Sequence, residues 1–137
     1  IENLAVQAGM HMGPLKLKAQ CGGVPSATDS SVVKTAMASL QGLQLHQTIQ
    51  DRILFSQAVE AAKCLHEGVL GAVHEANIGS VFVMGFPACK GGTLQMIYAM
   101  GVDAFVHQCQ ALAHQFGSAF ELKPEVVACL KKHQPQY

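Results

Sequence analysis

Tryptophan is absent, and two tyrosines and six phenylalanines make up the whole aromatic complement of 137 residues. Charge is scarce too. It occupies 13% of the positions, where about a quarter is usual for a soluble domain, and splits evenly into nine basic and nine acidic residues. With no basic stripe and few aromatic platforms, nucleic-acid binding has nothing to stand on. Long hydrophobic runs are missing as well. Val81-Phe82-Val83-Met84, ahead of Gly85-Phe86, falls far short of the roughly 20 apolar residues a helix needs to cross a bilayer. The five cysteines (Cys21, Cys64, Cys89, Cys109, Cys129) include no CxxC pair. Together with the lack of a signal-peptide pattern, that predicts reduced thiols in a cytosolic chain.

What is present in excess is grease. Half of the residues are hydrophobic and mean hydropathy is +0.24, so some apolar surface is expected to lie under another domain or subunit. The length fits one domain, one that buries roughly two-thirds of its unfolded surface. The chain starts at Ile1 rather than methionine and reads as a fragment or processed piece.

Periodicity predicts helices throughout. Residues 1–20 give a short helix through Leu4, Ala5 and Ala8, a turn at Gly9, and an apolar stretch at Leu15 and Leu17. Residues 22–31, "GGVPSATDSS", have linker composition. From Ser31 onward Val32, Val33, Ala36, Met37 and Leu40 repeat at helical spacing, with Asp29 to Ser31 as N-caps. In residues 48–67 an apolar stripe of Ile53, Leu54, Ala58, Ala61, Ala62 and Leu65 opposes Gln50, Gln57, Glu60 and Lys63, and Gly68 is placed to end the helix. Residues 102–116 put Val102, Phe105, Val106, Cys109, Leu112, Ala113 and Phe116 on one face, with Gly117 as the residue beyond the end. Pro124 suits the first turn of a last helix containing Val126, Val127 and Leu130. Only Val81-Phe82-Val83 reads as strand, so the chain is predicted all-α. "GPLKLKAQCG" (13–22) and "GTLQMIYAMG" (92–101) share a Gly-x-Leu frame with a closing glycine at the same spacing, a pattern that suggests two small helical units.

The stretch that most invites a chemical reading is "GFPACKGGTL", residues 85–94. A phosphate-binding P-loop needs Gly-Lys followed by Ser or Thr. Here Lys90 precedes Gly91, Gly92 and Thr93, and no GxGxxG dinucleotide turn exists. A turn leading into a helix is the reading that remains, with an anion at the helix start as its sharper alternative. His66 and His74 each precede a glutamate but are eight apart and begin no HExxH. His107 and His114 share a helix face that excludes Cys109, so no metal-ligand spacing is expected. Cys89, in a glycine-proline loop, is a nucleophile only if a partner such as His107 or His114 reaches it.

Three stretches carry a family resemblance: "DRILFSQAVEAAKCLHEGVL" (51–70), "IGSVFVMGFPACKGGTLQMIYAMGVDAFV" (78–106) and "LAHQFGSAFELKP" (112–124). Arg52, Glu60, Glu67-Gly68-Val69, Asn77-Ile78-Gly79, Gly85-Phe86-Pro87 and Gly91-Gly92 match the pattern of the C-terminal helical domain of 3-hydroxyacyl-CoA dehydrogenases. The chain resembles in particular the last part of the multifunctional α-subunits of fatty-acid oxidation complexes, whose tail Tyr137 also resembles. "QAGMHMGPLKLKAQCG" is similar to the end of the preceding repeat in those enzymes, except that Ala19-Gln20 replace the expected acidic pair.

The resemblance implies a small helical domain of the 6-phosphogluconate-dehydrogenase C-terminal-like type with remnants of two repeats: residues 1–21 ending a first repeat, 22–31 a linker, and 32–137 a second repeat. It implies that the complete enzyme oxidises L-3-hydroxyacyl-CoA with NAD in the bacterial cytoplasm. The NAD-binding Rossmann domain, the catalytic His–Glu pair and the hydratase domain would all lie outside these residues. Its expected partners are that Rossmann domain, a second copy or a thiolase subunit, and acyl-CoA through the whole enzyme. Gly85, Phe86, Pro87, Gly91 and Gly92, with Gly13 and Pro14 in the first copy, are then a packing joint, and no catalytic, NAD-binding or metal-binding residue is expected here. Two other readings compete: a stand-alone helical oligomerisation or adaptor module, and a metal or thiol-redox protein built on the histidines and Cys89.

Overall fold

The computed structural model describes residues 2–10 and 42–135. The expected linker at 22–31, the helix predicted from Ser31, Tyr137, and Gly13 with Pro14 lie outside the described residues. Within them the chain is all-α, with six α-helices, two single 3-10 turns and no strand. These are α1 (Glu2–Gln7), α2 (Gly42–His66), α3 (Val73–Phe82), α4 (Thr93–Met100), α5 (Val102–Phe116) and α6 (Pro124–Lys132), with 3-10 turns over Ala88–Lys90 and Ser118–Phe120. None of these helices is long and apolar enough to cross a membrane.

The 25-residue α2, roughly 37 Å long at 1.5 Å per residue, is the spine. The remaining helices pack against it or against one another around it: α4, α6, α1 and α3 touch α2, α3 lies on α4, and α5 on α6. The apolar stripe read from the sequence is only part of what α2 buries. Leu54, Ala58, Ala62 and Leu65 are buried as expected, but Phe55 and Val59 are buried with them, because neighbours cover α2 on more than one side. α2 ends at a Schellman turn. Gly68, at φ +75°, lets the Val69 N–H donate to the Cys64 carbonyl at 3.0 Å and its own N–H to the Leu65 carbonyl at 3.3 Å, which satisfies carbonyls a helix end otherwise leaves open.

The core runs between α2, α4, α5 and α6. Phe105 of α5 stacks on Phe55 of α2 with ring centroids 4.9 Å apart, and Phe86, Leu94, Ile97 and Leu130 are fully buried around them. Tyr98 donates its hydroxyl to the Leu130 carbonyl at 3.2 Å. Burial, then the nearby Cys129, pushes its phenol up to about 12. Arg52 lies over the Phe116 ring at 4.1 Å, a cation–π contact joining α2 to the end of α5. Its guanidinium pKa is lowered by desolvation. The expected bounds of α5 and the expected place of Pro124 at the start of α6 both hold. Val81-Phe82 is the end of α3 rather than a strand.

Candidate functional site

The 85–94 stretch folds as a tight connection between α3 and α4. In the first turn of α3 the Glu75 carboxylate accepts from the N–H groups of Gly71 at 2.7 Å and Ala72 at 3.2 Å, an N-terminal arrangement that also favours negative charge there. After α3 the chain reverses. Gly85 has φ +69°, and the Phe86 N–H returns to the Ser80 carbonyl at 2.9 Å. Phe86 is thereby buried in the core, 1% exposed. Pro87, also buried, faces α1's end: a Cβ on Gly9 would stand 3.1 Å from the Pro87 Cβ. Cys89 and Lys90 are exposed on the 3-10 turn.

Gly92 then occupies the N-cap position of α4, where it has no side chain with which to cap. The cap comes from α3 instead. Asn77 Oδ1 accepts from the Leu94 N–H at 3.0 Å and the Gln95 N–H at 2.9 Å, and Ser80 Oγ accepts from the Thr93 N–H at 3.2 Å. Three first-turn donors of α4 are thus satisfied by two side chains of a different helix. That geometry requires α3 to lie very close: a Cβ on Gly92 would be 2.5 Å from the Asn77 Cα. Asn77→Ala leaves two partly buried donors unpaired and is expected to destabilise the chain by about 2 kcal/mol. Asn77→Asp, which can accept both bonds, is expected to stay within about 0.5 kcal/mol of the parent; urea unfolding of both variants checks this.

This arrangement also decides what the stretch can bind. Phosphate cradles work through free amides at a helix start, and here the amides of Thr93, Leu94 and Gln95 already have acceptors. A pyrophosphate therefore finds none of these three amides free.

The other sequence candidates stay apart. His107 and His114 are exposed on α5 while Cys109 beside them is 1% exposed, and burial pushes the Cys109 thiol up to about 12, which leaves it inert as a nucleophile. Cys89 makes no hydrogen bond to either histidine. Among the described residues no three His, Cys, Asp or Glu side chains come together as a metal set would. One pairing went unnoticed in the sequence: His133 Nδ1 donates to the Cys129 carbonyl at 2.9 Å and lies 3.6 Å from the Cys129 sulfur, closing the end of α6. The i, i+4 spacing was its signal. The role of Asn77 had a weaker one: a helix start whose cap position is glycine needs an acceptor from elsewhere.

A second feature adjoins the cap of α4 and shares Ser80 and Thr93 with it. Between α2 and α3 runs an open apolar groove of about 620 Å³, with Ala61, Ala76, Gly79 and Ser80 among its lining. Val69 and Val83, which also line it, are more than two-thirds exposed.

No protein-family model matches the chain. It is 31% identical over 80 residues to the fatty acid oxidation complex subunit alpha of Psychrobacter sp. (strain PRwf-1), a match that covers 58% of this chain and 11% of that protein. The chain therefore spans about a tenth of the length of the curated relative it matches. The similarity bears out the resemblance to the α-subunits of fatty-acid oxidation complexes.

Proposed function

We propose that these residues are the C-terminal helical domain of a fatty-acid β-oxidation enzyme, of the 6-phosphogluconate-dehydrogenase C-terminal-like type. The complete polypeptide oxidises L-3-hydroxyacyl-CoA to 3-ketoacyl-CoA with NAD in the bacterial cytoplasm. The similarity to a fatty acid oxidation complex subunit alpha carries this reading. In it, Gly85, Phe86, Pro87, Gly91 and Gly92 are a packing joint: they let α3 and α4 meet at backbone distance and hand the capping of α4 to Asn77. Residues 1–21 end a first repeat, 32–137 form the second, and the linker between them spans 22–31. Redox chemistry belongs to a Rossmann domain elsewhere in the polypeptide, and the greasy surface of this piece lies against that domain, a second copy or a thiolase subunit.

What supports a packing role is the occupation of the α4 amides by Asn77 and Ser80, since a site that bound NAD would keep such donors open. The test is a direct assay of the 137-residue chain with L-3-hydroxyacyl-CoA and NAD. No NADH above background is expected, and steady NADH production would overturn the division of labour. The adaptor-module reading draws on the open α2–α3 groove. It would prevail if the coding sequence upstream of Ile1 encoded no nucleotide-binding domain.

A further inference from the structure

Cys129 and His133 stand one turn apart at the end of α6, at the i and i+4 positions that share one side of a helix. His133 is exposed and Cys129 half-buried, and 3.6 Å separates the Cys129 sulfur from His133 Nδ1. That separation has a chemical meaning. A tetrahedral zinc ion, with Zn–S about 2.3 Å and Zn–N about 2.0 Å, holds a sulfur and a nitrogen ligand about 3.5 Å apart. The helix therefore already keeps these two donors at the spacing of a chelate. Among the described residues no other cysteine has a histidine so placed. His107 and Cys109 are two positions apart on α5, as are Cys64 and His66 on α2, an offset that does not bring side chains face to face. Cys89 has no histidine within four positions.

The imidazole can turn to a metal without loss elsewhere. Its Nδ1 donates to the Cys129 carbonyl at 2.9 Å, but the same carbonyl accepts the His133 backbone N–H at 3.1 Å and so keeps a partner when the ring lets go. The carbonyl end of a helix also favours a cation. Of the nearby lysines, Lys131 is drawn to Asp103 at 2.6 Å, and Lys132 is exposed in the last turn, where a thiolate offsets its charge. We infer that Cys129 Sγ and His133 Nδ1 form a two-ligand site for a borderline-soft divalent cation, zinc above all, with water completing the tetrahedron. Thiolate and imidazole donors prefer such an ion to magnesium or calcium, which take oxygen ligands. On binding, the thiol proton passes to solvent and the ring proton moves from Nδ1 to Nε2 through water, so a neutral imidazole gives one proton released per ion. Nothing is oxidised or reduced.

The site uses no residue of the 85–94 connection, so an NADH result in either direction leaves the inference in place. Its test titrates the 137-residue chain, with thiols kept reduced, using zinc chloride by calorimetry and cobalt(II) by absorption. One zinc per chain is expected at a Kd on the order of ten micromolar, far weaker than a closed four-ligand site, and cobalt should give a thiolate charge-transfer band. Cys129→Ser should abolish that band. His133→Ala should weaken zinc about tenfold or more, and because His133 is exposed this variant keeps the fold even if Cys129→Ser disturbs packing. Cys89→Ser should leave both titrations unchanged, and excess magnesium should not compete. Absence of zinc binding, loss of binding in Cys89→Ser, or indifference of the affinity to His133→Ala overturns the inference.

Discussion

Gly92→Ala is expected to cost about 3 kcal/mol or more of folding stability, read as a fall of roughly 10 °C in the midpoint of thermal unfolding. Two effects act together. At φ +113° and ψ 173° the backbone occupies a region that is essentially reserved for glycine. The new Cβ would also lie 2.5 Å from the Asn77 Cα and 2.7 Å from its Oδ1. The second contact is with a side chain that can move; the first is with the backbone of α3 and cannot be relieved by a rotamer. For α3 to retreat it must break the bonds from Leu94 and Gln95 to Asn77. Shortening Asn77 in the same chain should therefore not rescue the variant. A loss below about 1 kcal/mol would mean that α3 and α4 do not approach as closely as described here.

Phe105→Ala is expected to cost about 3–5 kcal/mol, a large share of the 5–15 kcal/mol that holds a typical domain together. Phe105 has no exposed surface and lies at 4.9 Å and 20° from the Phe55 ring. Truncation removes both the buried area and the stacking between α5 and the α2 spine, and leaves a cavity that the surrounding Leu94, Ile97 and Leu130 can only partly close. Because the loss falls on the common core, cooperative unfolding should shift as a whole, to lower urea concentration with an unchanged slope. A drop of less than about 1.5 kcal/mol would place Phe105 outside the core.

Much of this architecture was legible in local patterns. The period of apolar residues from Val102 to Phe116 and the glycine after it give α5 its bounds, and Pro124 opens α6 because its missing N–H has no acceptor to reach at a helix start. Gly68 was placed correctly for the same kind of reason. What was not legible depends on contacts distant in sequence. Phe55 and Val59 lie off the stripe read on α2, and they are buried because helices arrive on that side too. Val81-Phe82 carries β-branched and aromatic residues but continues α3, local preference yielding to its helical hydrogen bonds. The capping of α4 links residues 17 and 18 positions apart, so neither Asn77 nor the glycine opposite it announces the bond alone.

The same contrast holds for chemistry. Histidine and cysteine are frequent enough to invite a metal or thiol site, yet those on α5 divide between solvent and core, and Cys89 is left on an exposed turn. The glycine-rich stretch that most resembles an anion site is closed by its own protein. Its helix-start amides face Asn77 and Ser80, and its glycines serve the close contact of two helices.

Whether the 85–94 connection joins helices or holds a nucleotide is reported most directly by the backbone amide resonances of Thr93, Leu94 and Gln95. Titration of the isotopically labelled chain with NAD should leave all three unmoved, and Asn77→Ala should shift those of Leu94 and Gln95. Saturable movement of these amides by NAD in the parent chain would make the connection a nucleotide site instead.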